Sequence, residues 1–335
     1  MTADHDPLLS FAGIATFMRA PTVDFDALEP GDIAVVGAPF DTTTAWRQGA
    51  RHAPRAIREA SLHVVYWLES AYESELVDLE TGTTLRRATT GRVVDLGDLN
   101  VYPNQVAKTA ESFLQGTREI VERGASPLIL GGDHFVSLPC CRGVADVVAQ
   151  RGGRVAFVTI GCELGVAGQD PVWGTDWAGS VVRRLVESGA VDPRNVAWVG
   201  PSGLAPRAEW EWIQASGGVL VTAEEIHRQG ATETTRQALE AASRACDAIY
   251  VSLGLDVLDS AHAPGIGPAV IGGLTPTELG QCVAVLAREP RVVALDVVEV
   301  APYLDRSGRT ARLASNLIFD FLAPRALGAA PATRS

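Results

Sequence analysis

The chain has no block of lysine or arginine, no apolar run of membrane-spanning length and no CxxC pair, and each absence removes a class of function. Its 335 residues carry 28 Lys and Arg against 40 Asp and Glu, a formal charge of −12. That balance disfavours nucleic acid and anionic membrane surfaces as partners and leaves neutral or cationic small molecules as the easier ligands. No stretch approaches the roughly 20 apolar residues that span a bilayer. The opening residues, MTADHDPLLSFAG, lack a basic region followed by an apolar core, so no secretory leader is expected. The five cysteines (Cys140, Cys141, Cys162, Cys246, Cys282) are odd in number, and the adjacent pair is poorly placed to bridge. Free thiols in a reducing cytoplasm are the expectation.

What is present is an ordinary globular composition, 47% hydrophobic and 20% charged. Short apolar runs alternate with longer helical stretches: Ile33–Gly37, Pro54–Leu68, Val93–Leu96, Val106–Arg123, Leu128–Leu130 and Val155–Ile160. The alternation continues through Ser180–Ser188, Val196–Val199, Ala208–Ala215, Val219–Val221, Thr232–Arg244 and Ile249–Leu253. It closes with Pro276–Arg288, Val292–Val298 and Ala311–Leu322. Strands and helices at this spacing predict a largely parallel sheet with helices on both faces. No linker composition divides the chain. One domain over residues 1–323 is expected, with a loose tail over 324–335.

In an open parallel sheet, ligands bind beyond the carboxyl ends of the strands. The polar residues that follow the apolar runs therefore matter most. Gly131-Gly132-Asp133-His134 follows one run, Gly161-Cys162-Glu163-Leu164-Gly165 another, Gly254-Leu255-Asp256 a third and Glu299 a fourth. Four strand ends thus place His134, Glu163, Asp256 and Glu299 on one rim, as a pocket of one imidazole and several carboxylates. The competing reading is that each caps a helix or closes a turn. Asp133, Asp98 and Asp259 are read that way, through bonds to backbone. Cys162 alternates away from Glu163 and is read as core. His5, His52, His63, His227 and His262 have no partners at a telling spacing.

These residues sit in longer motifs. FAGIATFMRAP, VVGAPFDTTTAWRQGARHAPRAIREAS, VVDLGDLNVYP and LILGGDHFVSLP are followed by IYVSLGLDVLDSAHAPGIGPAVIGGLTPTEL and VVALDVVEVAPYLDRSGRTARLASNLIFDFL. In this order, from about Phe11 to Leu322, the chain resembles the ureohydrolases, the arginase and agmatinase family. The resemblance implies a three-layer α/β/α domain around an eight-stranded, mainly parallel sheet, and a homo-oligomer, a trimer or hexamer. It also implies hydrolysis of a guanidino group by a hydroxide held between two manganese ions.

The metal ligands that the resemblance assigns are largely missing. His134 stands where the first is expected. The Asp-x-His-x-Asp motif reads Gly161, Glu163 and Gly165, and the later Asp-x-Asp reads Gly254 and Asp256. Two of six ligands remain, with Glu163 as a candidate third. Glycine supplies no donor, so a change of metal does not compensate, and no metal cofactor is expected. The His-Gly-Thr segment of agmatinases reads Trp173-Gly174-Thr175, the residue after His134 is Phe135, and Trp46 and Trp177 add aromatic surface. The expected pocket is roomier and more apolar, lined by Trp46, Phe135, Trp173 and Trp177. Glu299, which faces the substrate guanidinium in the family, would contact a ligand or else hold its own loop.

Three functions fit these residues. The first is a repurposed, metal-independent enzyme on a bulkier, partly apolar small molecule, with His134, Glu163 and Asp256 as acid and base. It would carry out a cyclisation, dehydration, isomerisation or metal-free hydrolysis, as in specialised metabolism. The second is a non-catalytic ligand-binding or regulatory subunit. The third is a residual single-metal guanidino or amidine hydrolase.

Overall fold

Val155–Ile160 and Ala248–Gly254 are buried at every position. Strands with both faces covered read as continuous apolar runs, which is the signature of parallel sheets flanked by helices. The computed structural model describes residues 13–70, 76–77, 84–87, 92–268 and 270–330. In chain order the elements are β1 (Ile33–Gly37), α1 (Ala53–Ser70), β2 (Leu76–Val77), β3 (Thr84–Arg87), β4 (Val93–Asp98), α2 (Val106–Glu122) and β5 (Ser126–Leu130). Then come α3 (Ser137–Gln150), β6 (Val155–Ile160), α4 (Val181–Glu187), β7 (Val196–Val199), α5 (Arg207–Ser216), β8 (Val219–Val221), α6 (Ala223–Gln229) and α7 (Ala231–Ser243). The chain ends with β9 (Ala248–Gly254), α8 (Pro276–Ala287), β10 (Val292–Val298), α9 (Arg309–Ala326) and β11 (Leu327–Ala330).

Eight strands form an all-parallel sheet in the order β4-β1-β5-β10-β9-β6-β7-β8. One hydrophobic core lies between the sheet and α1, α7, α8 and α9, through residues such as Ile57, Leu239, Leu279 and Leu317. A second lies under α2, α3, α4 and α5, through Phe113, Val144, Leu185 and Ile213. These are the three layers expected. Among the described residues no helix is long and apolar enough to cross a membrane.

Two helices were not legible. In α3 the breakers Pro139 and Gly143 conceal the pattern. Proline is tolerated in the first turn of a helix, and Gly143 is where α2 comes closest, since a Cβ there would lie 2.5 Å from the Leu114 carbonyl oxygen. The two-turn length of α6 hides it, yet Thr222 and Glu225 form a reciprocal cap, with Thr222 N–H donating to Glu225 at 2.8 Å. The tail expected from Pro324 starts too early. Helix α9 continues through Pro324 to Ala326, and β11 pairs antiparallel with β3 beside β2. Residues 331–335 and His5 lie outside the described residues.

Candidate functional site

The strands that end in His134, Glu299, Asp256 and Glu163 are β5, β10, β9 and β6, four consecutive neighbours at the centre of the sheet. Their order along the chain gives no hint of this adjacency. The Gly131-Gly132 turn brings backbone against backbone, because a Cβ at Gly132 would lie 1.8 Å from the Phe40 carbonyl oxygen. Asp133 then accepts bonds from the Thr43 N–H at 2.9 Å and the Thr43 hydroxyl at 2.7 Å, the structural role expected of it. Burial pushes its pKa up to about 7.

His134 is buried, with Nε2 at 3.0 Å from the Ser252 hydroxyl. Ser252 donates to Asp296 at 2.8 Å, and Tyr250 donates to the other Asp296 oxygen at 2.6 Å. With the Ser252 proton committed to Asp296, Ser252 accepts from His134 Nε2–H, so a neutral ring keeps its lone pair on Nδ1. That Nδ1 is buried and has no partner among the described residues. Sequence reading missed the Ser252–Asp296–Tyr250 chain, because these residues lie inside the apolar runs of β9 and β10.

Asp256 is fully buried; one oxygen accepts from the Cys162 thiol at 2.9 Å and the other is unpartnered. Cys162 is therefore a site neighbour, not core. The segment after β6 is a loop, with Gly165 at φ +65°, so strand alternation does not apply to it. One Glu163 oxygen is also buried without a partner among the described residues. Burial, followed by the charges of Asp256, Asp133 and Glu209, pushes the Glu163 pKa up to about 8.

Glu299 adopts a left-handed backbone at φ +65°. That conformation costs about 1 kcal/mol for a non-glycine residue. It is held by the Glu299 N–H bond to the Gly132 carbonyl and by the His134 N–H donating to its carboxylate at 2.9 Å. Burial and then the surrounding carboxylates push its pKa well up.

The three glycines at the expected ligand positions are not equivalent. A Cβ at Gly161 would lie 3.2 Å from His134 Cε1 and 3.5 Å from an Asp256 oxygen, so imidazole and carboxylate face one small space. A Cβ at Gly254 would lie 2.3 Å from that same Asp256 oxygen. Asp256 thus occupies the room a side chain at 254 would need. At Gly165 a Cβ would press on Val182 at 3.1 Å. Among the described residues no three His, Cys, Asp or Glu side chains converge closely enough to hold a metal ion.

A cavity of about 870 Å³ opens beside this cluster, between the ends of β6, β7 and β8, with Cys162, Glu163 and Trp177 inside and Leu204, Trp210 and Ile271 at the mouth. The expected aromatic lining is only partly there. Trp177 lines it, with Trp173 stacked on it at 6.4 Å. Phe135 is 1% exposed and packs on Phe40 at 5.5 Å, in the core under α3. Trp46 is 73% exposed and does not line the cavity. Glu209, Trp210 and His227 join the lining unannounced. Trp210 and Trp212 alternate on a short helix, so only Trp212 can pack inward, against Trp198. That spacing is the one signal that left Trp210 for the cavity. His227 is paired with Glu278 at 2.7 Å.

Trp177 folds over Gly179, where a Cβ would lie 2.4 Å from the indole ring. Gly179→Ala is therefore expected to push the ring out of the cavity wall. Calorimetric affinity for guanidinium probes should fall about tenfold, the scale of a contact aromatic residue. Unchanged affinity would mean that Trp177 does not touch the ligand.

An eight-stranded parallel sheet between helical layers, with a carboxylate-rich cluster where its four central strands end, is the ureohydrolase class of fold. The profile of the Arginase family matches residues 31–323, and the chain belongs to that family. Guanidinopropionase of Pseudomonas aeruginosa is 32% identical over 336 residues, 96% of this chain and 96% of that protein. Guanidinobutyrase of the same organism is 30% identical over 315 residues, 93% of this chain and 92% of that protein. The solved structure of proclavaminate amidino hydrolase from Streptomyces clavuligerus superimposes with a TM-score of 0.81 at 26% identity, covering 95% of this chain and 98% of that one.

Proposed function

We propose that this Arginase-family protein is an enzyme that works without a two-manganese centre, transferring protons to and from a small molecule held in the acidic cavity. The guanidino and amidino names of its relatives point to a ligand of that cationic class. The observation that carries the reading is the donor set: Gly161, Gly165 and Gly254 supply no side-chain donors, and among the described residues no three His, Cys, Asp or Glu side chains converge on one point. The residues present do not fit a pair of ions. Their unpartnered atoms fit proton traffic instead: the His134 Nδ1 lone pair, one Asp256 oxygen and one Glu163 oxygen.

In this reading Glu163, which lines the cavity and whose pKa lies near 8, exchanges the proton with the ligand at neutral pH, and Asp256 and His134 Nδ1, buried outside the lining, relay that proton. The Ser252–Asp296 chain fixes the His134 ring and its tautomer. A bound guanidinium or amidinium would bring the positive charge that the carboxylates lack. Cyclisation, dehydration, isomerisation or metal-free hydrolysis are the reactions that such groups support.

The test is a panel of guanidines and amidines incubated with the protein in excess chelator and followed by mass spectrometry. Turnover should persist in chelator and fall about 10²–10⁴-fold in Asp256→Asn, the usual contribution of a general acid or base. Urea release that requires added manganese would overturn the reading. Tight binding with no turnover would leave a ligand-binding member of the family.

A further inference from the structure

The carboxyl groups of the cavity wall have no arginine or lysine beside them among the described lining residues. Glu163 lies at the inner end, Glu209 stands half-buried on the wall, and Glu224 lies nearer the surface. Among the described residues that line the cavity, His227 is the basic one, and its Nδ1 is bonded to Glu278 at 2.7 Å. Arg183, which approaches at Gly168, is paired with Glu187 at 3.0 Å. The mouth is apolar: Leu204 is fully exposed, Ile271 is 90% exposed, and Trp210, 47% exposed, lines it with them. Trp177 also lines the cavity, and its indole N–H is buried with no partner among the described residues.

From this distribution we infer that the ligand is a cation whose other end is uncharged and apolar, of aromatic or branched alkyl size, and that amino-acid-like ligands with a carboxylate tail are excluded. This rests on the acidic-site reading above and adds the identity of the tail. A carboxylate brought into the cavity would meet other carboxylates and no free cation, a juxtaposition that discriminates strongly against a ligand. A short linear guanidine would leave most of an 870 Å³ space to water. A ring would cover Trp177, Trp210 and Ile271 and gain from their burial. The mouth residues set tail preference, and the inner carboxylates set head preference.

Matched probes separate the two. Benzylguanidinium, methylguanidinium, 4-(guanidinomethyl)benzoate and neutral benzylurea are titrated into the full chain by calorimetry. Benzylguanidinium should bind on the order of 30-fold more tightly than its carboxylated analogue or methylguanidinium. A double variant at the mouth, Trp210→Ala with Ile271→Ser, should erase the advantage of benzylguanidinium over methylguanidinium. Equal or tighter binding of the carboxylated analogue overturns the inference, as does equal binding of the methyl and benzyl cations. In both of those cases the acidic-site reading survives. If benzylurea binds as well as benzylguanidinium, the cation is not being read and the acidic-site reading falls with it.

Discussion

Loaded with excess manganese, nickel or zinc and then desalted, the purified protein is expected to retain well under one ion per chain by elemental analysis. The reason is the donor count. Stable sites draw on three or four protein ligands, and no such group converges among the described residues. The converse is the stronger test. Gly161→Asp, Glu163→His, Gly165→Asp and Gly254→Asp together put back the donors that the ureohydrolase resemblance assigns. The backbone gives each a defined cost. At 254 the new side chain must displace an Asp256 oxygen from 2.3 Å, which is cheap because the carboxylate is the mobile end of its side chain. At 161 the Cβ sits 3.2 Å from the His134 ring, so the ring must give slightly. At 165 the left-handed φ of +65° costs about 1 kcal/mol, less for aspartate than for most residues. The fourfold variant should take up about two ions per chain. Two ions per wild-type chain would sink the metal-free reading outright.

The fold was legible because its strands are fully buried and bounded by turn chemistry. Val155–Ile160, Val196–Val199, Val219–Val221 and Val292–Val298 begin and end where their apolar runs do. Helix α3 was not legible, since its breakers sit where a first turn and a close helix contact accommodate them. Within the site, the strand-end rule found His134, Glu163, Asp256 and Glu299, because a polar residue after an apolar run has few other places to point. It did not find Ser252 and Asp296. Alternation along a strand that is buried on both faces carries no polarity signal, so a buried polar pair looks like an interruption. Aromatic residues were read by type alone. Phe135 shows the weakness of that, since the residue after His134 turns back into the core. Glu209 and Ile271 come from α5 and from the loop after β9, and no local pattern ties them to the ends of β6 and β7.

Glu163→Gln is expected to make the protein more stable in mild alkali and less able to hold a cation. The folded pKa of Glu163 is about 8, against 4.5 for the free side chain. Between those values the folded state binds more protons than the unfolded one, so stability falls as pH rises from about 4.5 to about 8 and then levels. Asp133, near 7, adds a slope of the same sign. Glutamine stays neutral and removes the Glu163 share. The variant should match wild type at pH 5 and exceed it at pH 9 by roughly 2–4 kcal/mol in denaturant unfolding, allowing for water that enters the cavity. Ligand binding should run the other way. A cation binds the ionised carboxylate, so wild-type affinity for a guanidinium rises through pH 8, and this rise should be absent in Glu163→Gln. A wild-type stability curve that is flat from pH 6 to 9 would mean that Glu163 is already ionised in the folded protein. The group that returns protons at neutral pH would then have to be sought elsewhere in the cluster.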